Sequence, residues 1–206
     1  MYRLPAFAEE DGATLGALIA AHPLGLLISS GPGGIMAGPV PFELVETAGG
    51  RVLRAHLAKA NPQLAEIAAA PQVLIVFQPA EAYVHPGWYP TKAEHHRVVP
   101  TWNYAMVQVR GVARLTQDES FLRAQIDALT RAQEANRPEP WAVSDAPADF
   151  IAAQLRGITG LEIEVQSMEG KLKLSQNRAK PDRAGVRAGM IAEGEPLARL
   201  MPDPFA

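Results

Sequence analysis

The chain has 206 residues, no cysteine and a formal charge of −3. The missing thiols exclude disulfides, thiolate catalysis, iron–sulfur clusters and cysteine-type zinc sites, and the slightly acidic balance argues against a protein that binds nucleic acid over its whole surface. The length fits a single domain over residues 1–206, with a C-terminal extension from about residue 179.

Met1 to Ala8 is followed by Glu9-Glu10-Asp11, so the start has neither the basic end nor the apolar core of a signal peptide. Leu24–Ile28 is far shorter than the roughly 20 residues a membrane span takes. A cytoplasmic protein is expected. Asp11–Thr14 can open a short helix, with Leu15, Leu18 and Ile19 at helical spacing and His22-Pro23 as its stop. Leu24–Ser30 reads as a buried strand, Gly31-Pro-Gly-Gly34 as a turn, and Ile35–Val45 as the return strand, which Pro39 and Pro41 push toward an edge or bulge. After a turn at Gly49-Gly50, Arg51–His56 alternates as a strand does. Asn61 as N-cap and Pro62 at the first helical position open a helix that Pro71 ends.

Val73–Phe77 is the clearest core strand, and Glu81–Val99 reads as loop. Tyr104–Leu115 is a long strand. Asp118–Gln133 is an amphipathic helix carrying Leu122, Ile126 and Leu129 on one face. Arg137–Pro147 is a proline-rich linker, Ala148–Arg156 a second short helix, and Ile158–Ser167 and Lys171–Ser175 alternate as strands. Strands interrupted by helices at irregular intervals indicate a mainly β chain with helices (α+β), an antiparallel barrel with helical decoration. No internal repeat and no glycine-rich nucleotide loop is present.

Chemistry concentrates in three stretches. Tyr83, Trp88, Tyr89, Trp102 and Tyr104 are five of the seven Trp and Tyr residues, and no Phe falls in their window. Flat rings with a polar handle suit a planar polar ligand or an interface; the alternative is a loop pinned by its own aromatics. Arg54, His56 and Lys59 stand where a strand hands over to a helix start, a setting that favours anions. From Lys171 to Arg187, six cations (Lys171, Lys173, Arg178, Lys180, Arg183, Arg187) face one carboxylate, Asp182. Such an excess marks an anionic partner, whether cofactor phosphate, acidic surface or nucleic acid, or else a charged edge strand that discourages aggregation. His85, His95 and His96 share a loop without metal-ligand spacing, so no metal is expected, and no nucleophile–base pair is legible.

His56-Leu-Ala-Lys-Ala-Asn-Pro62, Tyr83-Val-His-Pro-Gly-Trp-Tyr-Pro90, Val99-Pro-Thr-Trp-Asn-Tyr104 and Gly170-Lys-Leu-Lys-Leu-Ser-Gln-Asn-Arg178 resemble the PaiB-like family of FMN-binding negative transcriptional regulators. The resemblance runs in order from about His22 to Arg187. It implies a split β-barrel like that of pyridoxamine-phosphate oxidase, a homodimer with FMN at the subunit interface, and a link to repression of protease and sporulation genes. Residue by residue, it implies that Arg54, His56, Lys59 and Asn61 wall the phosphate side. Thr101, Trp102, Asn103 and Tyr104 would meet the ring or ribityl chain, and Lys173, Ser175, Gln176, Asn177 and Arg178 would close the site. The chain departs from the family pattern at Ala37–Pro41, which lacks a small polar residue and a His, and at Gln78-Pro79-Ala80 in place of Gly-Pro. An FMN-dependent oxidoreductase acting on a small molecule, with a nicotinamide as possible reductant, is the alternative, since a flavin supplies its own redox chemistry. Direct DNA binding ranks below both, for want of a helix-turn-helix signature, and a haem-binding split barrel with His56 or His85 as ligand ranks as a minor fourth reading.

Overall fold

A computed structural model describes residues 1–204. In chain order its strands are β1 (Ala8–Glu9), β2 (Leu24–Gly31), β3 (Gly34–Pro41), β4 (Glu43–Thr47), β5 (Gly50–Ala58), β6 (Gln72–Val84), β7 (Thr101–Thr116) and β8 (Ile158–Lys173). The helices are α1 (Gly12–Ala21), α2 (Gln63–Ala69), α3 (Lys92–His95), α4 (Glu119–Glu134), α5 (Ala148–Arg156) and α6 (Lys180–Ala192). The strands follow the order β3-β2-β6-β7-β8-β5-β4, with β1 on β8. β2 pairs antiparallel with β3 and β6, β5 with β4 and β8, and β1 with β8. The chain separates into two compact units. One comprises residues 1–21, 78–108 and 169 onward; the other comprises 22–77 and 109–168.

In the second unit the alternation read from sequence sets the barrel. Leu27 on β2, Leu53, Ala55 and Leu57 on β5, Ile75 and Phe77 on β6, Val109 on β7, and Leu161 and Ile163 on β8 all point into a buried core. Phe42 and Phe77 meet there edge to face at 5.9 Å. Gly25 is required opposite them, because a Cβ would stand 2.7 Å from the Phe77 ring. β3 also lies beside β5, which brings the sheet round on itself. The return strand expected over Ile35–Val45 divides at Phe42, whose N–H turns to the Pro23 carbonyl at 2.8 Å. Its prolines lie on β3, at the end of the sheet order, where missing N–H donors are tolerated. The outward face of this hairpin is apolar. Leu24, Leu26 and Ile35 are 63%, 41% and 79% exposed, and the register sets Leu26 opposite Pro39.

α4 begins where Asp118 accepts hydrogen bonds from the N–H groups of Ser120 and Phe121 at 2.7 and 3.2 Å. The Ser120 hydroxyl foremost, with these two N–H groups, holds the Asp118 carboxyl below its usual range. Leu122, Val143, Ile151 and Leu155 then form a small core between α4, the following turn and α5. Asn61 also acts as expected: its Oδ1 accepts from the Gln63 N–H at 2.9 Å, although regular helix starts a residue after Pro62.

Three expectations fell short in length. β6 continues seven residues past Phe77 into the stretch read as loop, because Ala82 and Val84 turn inward while Glu81 and Tyr83 turn out. β7 starts at Thr101. β8 is one strand of 16 residues where two were expected. Its bridging segment is held by β1, which sets Ala8 opposite Lys171 and Glu9 opposite Gly170. No local pattern announces that partner.

Glu162 on β8 ties the outer barrel face together, taking Arg54 at 2.9 Å and Arg114 at 2.6 Å. Burial alone would raise its pKa, but hydrogen bonds and charge from the two guanidinium groups outweigh burial and hold the carboxyl below its ordinary value. A carboxylate with a lowered folded pKa contributes stability above its unfolded pKa and loses it as pH falls through the folded one. Glu162→Gln is therefore expected to cost about 1 kcal/mol near neutrality, read by urea denaturation. The gap from the parent chain should close under acid; a gap unchanged at low pH would mean the charge is not its source.

Candidate functional site

The first unit gathers the aromatic and cationic stretches. Lys173, last in β8, donates from Nζ to Thr101 Oγ1 at 2.6 Å and to the Trp102 carbonyl at the start of β7. Two ammonium groups reach Tyr104, with Lys171 Nζ at 5.3 Å and Lys173 Nζ at 6.0 Å from its ring centre. Arg178 stacks over Tyr89 at 4.9 Å. No carboxylate forms an ion pair with Lys171, Lys173, Arg178, Arg183 or Arg187 among the described residues. Burial first, then the charges of Lys171 and Arg178, hold the Lys173 ammonium below its usual pKa. Tyr89 is pushed above its ordinary pKa by burial, against the pull of Arg178.

Below this layer the polar groups are tightly organised. Asn103 is fully buried and donates to Ser175 Oγ at 2.9 Å, while its own Oδ1 has no partner among the described residues. Ser175 holds a left-handed φ of 65°, an uncommon backbone for a non-glycine residue. Gln176 braces the turn: its Oε1 accepts from Leu174 N–H at 2.7 Å and its Nε2 donates to the Leu172 carbonyl. Asn177 is exposed on the same turn. Trp102 and Tyr83, 55% and 44% exposed, meet edge to face at 5.8 Å. An unpaired cation cluster beside exposed flat rings and a stranded buried acceptor is suited to a planar, anionic, hydrogen-bonding ligand.

In the second unit the four residues expected on a phosphate wall have separate surroundings. Arg54 pairs with Glu162, lies over Phe121 at 5.4 Å, and lines a cavity of about 490 Å³ with Arg51 and Arg114. His56 Nδ1 meets Gln125 Oε1 at 2.7 Å. Lys59 is exposed at a smaller cavity of about 180 Å³, shared with Arg156, Gln117 and Glu119. Asn61 caps α2.

Residues 1–167 match the family described as "Putative FMN-binding domain". The chain belongs to this family. It is 36% identical to an uncharacterised protein of Emericella nidulans, over 92% of this chain and 90% of that one. It is 31% identical to the protease synthase and sporulation protein PAI 2 of Bacillus subtilis, over 71% of this chain and 68% of that one. Among solved structures it is similar to a conserved protein of Mycobacterium tuberculosis, with a TM-score of 0.62 at 10% identity, covering 87% of this chain and 94% of that one. It is also similar to an FAD- and haem-binding protein of Mycobacterium smegmatis, with a TM-score of 0.59 at 17% identity, covering 81% and 73%. Identities this low show the fold, which is the split β-barrel the resemblance implied.

Within this FMN-binding-domain family member, the structure brings Thr101, Trp102, Asn103 and Tyr104 together with Lys173, Ser175 and Lys171 in one cluster. It groups Arg54, His56, Lys59 and Asn61 differently: Arg54 and His56 are engaged by α4 and β8, and only Lys59 stands at a cavity edge without such partners. Gln125 escaped the sequence reading, although a Gln beside Leu122 on the apolar face of α4 was its signal. Glu162 escaped it for lack of any signal, being one more outward charge on an alternating strand.

Proposed function

We propose that this chain is an FMN-binding protein of the PaiB-like regulatory type, with the flavin held between two copies. The observation that carries the reading is the cation cluster of Lys171, Lys173 and Arg178, with no carboxylate paired to it among the described residues, beside Trp102, Tyr104 and the buried Asn103. These residues fit a flavin: cations and amide groups for its carbonyls and phosphate, flat rings for its plane. Thr101–Tyr104 and Lys173–Asn177 of one copy serve the ring and ribityl side, and Lys59 of the other copy serves the phosphate. The bound isoalloxazine would supply electron transfer, while the protein orients it and tunes its electronics. Similarity to PAI 2 supports the regulatory part. The exposed apolar face of β2 and β3, with Leu24, Leu26 and Ile35, supports a surface for the second copy. A monomer in sedimentation would remove that part.

The deciding experiment is titration with FMN and riboflavin, followed by quenching of flavin fluorescence. Saturable one-to-one binding of FMN is expected, and its absence overturns the proposal. Lys59→Ala should weaken FMN by about tenfold, the loss of one charge-assisted phosphate contact, and leave riboflavin almost unchanged. Equal losses for both ligands would place Lys59 away from the phosphate. Turnover of NADH by the loaded protein would move the reading to an FMN-dependent oxidoreductase.

A further inference from the structure

Along α4, Glu119, Arg123, Asp127 and Arg131 stand four residues apart and alternate in sign. Such a ladder ordinarily closes into successive ion pairs along the helix. Here the first rung closes, with Arg123 on Glu119 at 3.3 Å. The side chains of Asp127 and Arg131 form no ion pair or hydrogen bond among the described residues. The charge of Arg131 is felt by Glu43 on β4, again without an ion pair. Asp127 and Arg131 line a cavity of about 580 Å³, with Thr130, Trp141, Ser144 and Ile151. The hydroxyls of Thr130 and Ser144 likewise have no hydrogen bond among the described residues. Trp141 is 46% exposed, and its backbone N–H is fixed on Glu134 Oε2 at 3.2 Å. Val143 and Ile151 supply a buried apolar floor.

An apolar floor, one indole wall and a few uncommitted polar groups are the ordinary make-up of a small-molecule site, and the volume lies within the usual range of roughly 300–1,000 Å³. The two charges have opposite sign and stand one helical turn apart, about 5–6 Å between Cβ atoms. That spacing lets one ligand carrying both charges bridge them. We infer that this cavity binds a small amphoteric molecule with a flat apolar group, the chemical class of an aromatic α-amino acid. Its ammonium sits on Asp127, its carboxylate on Arg131 and its ring against Trp141. The site shares no residue with those proposed for the flavin, so the inference stands apart from that reading.

Calorimetric titration of the full, flavin-free chain tests it with three probes: L-phenylalanine, 3-phenylpropionate, which lacks the ammonium, and phenethylamine, which lacks the carboxylate. L-Phenylalanine should bind, and each truncated probe should bind about tenfold more weakly, because one charged group of the site is left without its partner. Asp127→Asn should cost L-phenylalanine about the same factor and leave 3-phenylpropionate unchanged, and Trp141→Ala should weaken all three. Circular dichroism checks that both variants remain folded. No binding of L-phenylalanine at millimolar concentration, equal binding of 3-phenylpropionate, or an Asp127→Asn variant that binds L-phenylalanine as the parent does would each overturn the proposal.

Discussion

Gly185→Ala is expected to lower stability by about 2 kcal/mol, although the same exchange in an open helix gains roughly 1 kcal/mol from propensity. The reversal comes from the seat that α6 makes for Trp88. A Cβ on Gly185 would stand inside the van der Waals envelope of the Trp88 backbone carbonyl, with Pro90 Cδ at 3.0 Å. A Cβ on Gly189, one turn later, would collide with the Trp88 indole itself. Around this seat lie Tyr89, Val186, Met190 and Leu197, all buried, so neither partner has room to withdraw. The two glycines can be told apart. Trp88→Leu should relieve Gly189→Ala, whose obstacle is a side chain, and leave Gly185→Ala as damaging as before, since its obstacle is backbone. Ala188→Gly on the exposed side of the same helix calibrates propensity, with an expected loss of roughly 1 kcal/mol. Urea denaturation followed by circular dichroism reads all four. A stabilised Gly185→Ala would mean that α6 does not pack on Trp88.

The same glycines explain why α6 was not legible. Pro181, Gly185 and Gly189 within 13 residues read as breakers, and what makes them helical is the tertiary partner that only small residues admit. The barrel strands were legible for the opposite reason. In Arg51–His56 and Val73–Phe77 the local pattern and the fold agree, because each strand buries one face and shows the other. Where a strand depended on a distant segment, as β8 depends on β1, the sequence carried no sign of it.

The site divides along similar lines. Charge excess and aromatic clustering are counts, so the cluster of Lys173, Tyr104 and Trp102 could be anticipated from the sequence together with the type of ligand it suits. Contacts across the barrel face are not counts. Nothing around Arg54 or His56 in the sequence points to Glu162, 108 residues away, or to Gln125, 69 residues away. A cation at the end of a strand looks the same from sequence whether it is free for a phosphate or tied to a carboxylate. That ambiguity separates Arg54 from Lys59.

Lys173→Met should weaken FMN and riboflavin alike by about tenfold or more, equivalent to at least about 1.4 kcal/mol. Lys173 is half-buried, faces Lys171 and Arg178, and has no carboxylate partner among the described residues. Burial and like charge act together on it, so its folded pKa lies below the unfolded value. In the window between the two, the unfolded chain binds more protons and stability rises with pH; below the folded pKa the ammonium is a standing cost. An anionic or carbonyl-rich ligand offsets that cost, and removing the charge removes both the cost and the attraction. Flavin should therefore raise the melting temperature of the parent chain as free ligand exceeds its Kd, and at equal flavin concentration it should raise that of Lys173→Met less. Affinity should also fall as pH rises through the lowered pKa of Lys173, at a less alkaline pH than an ordinary lysine would give. Lys173→Arg, whose guanidinium stays charged throughout, should bind without that alkaline loss. A Lys173→Met variant that binds riboflavin as the parent does but loses FMN would move Lys173 to the phosphate, and one that binds both unchanged would remove the cluster from the flavin altogether.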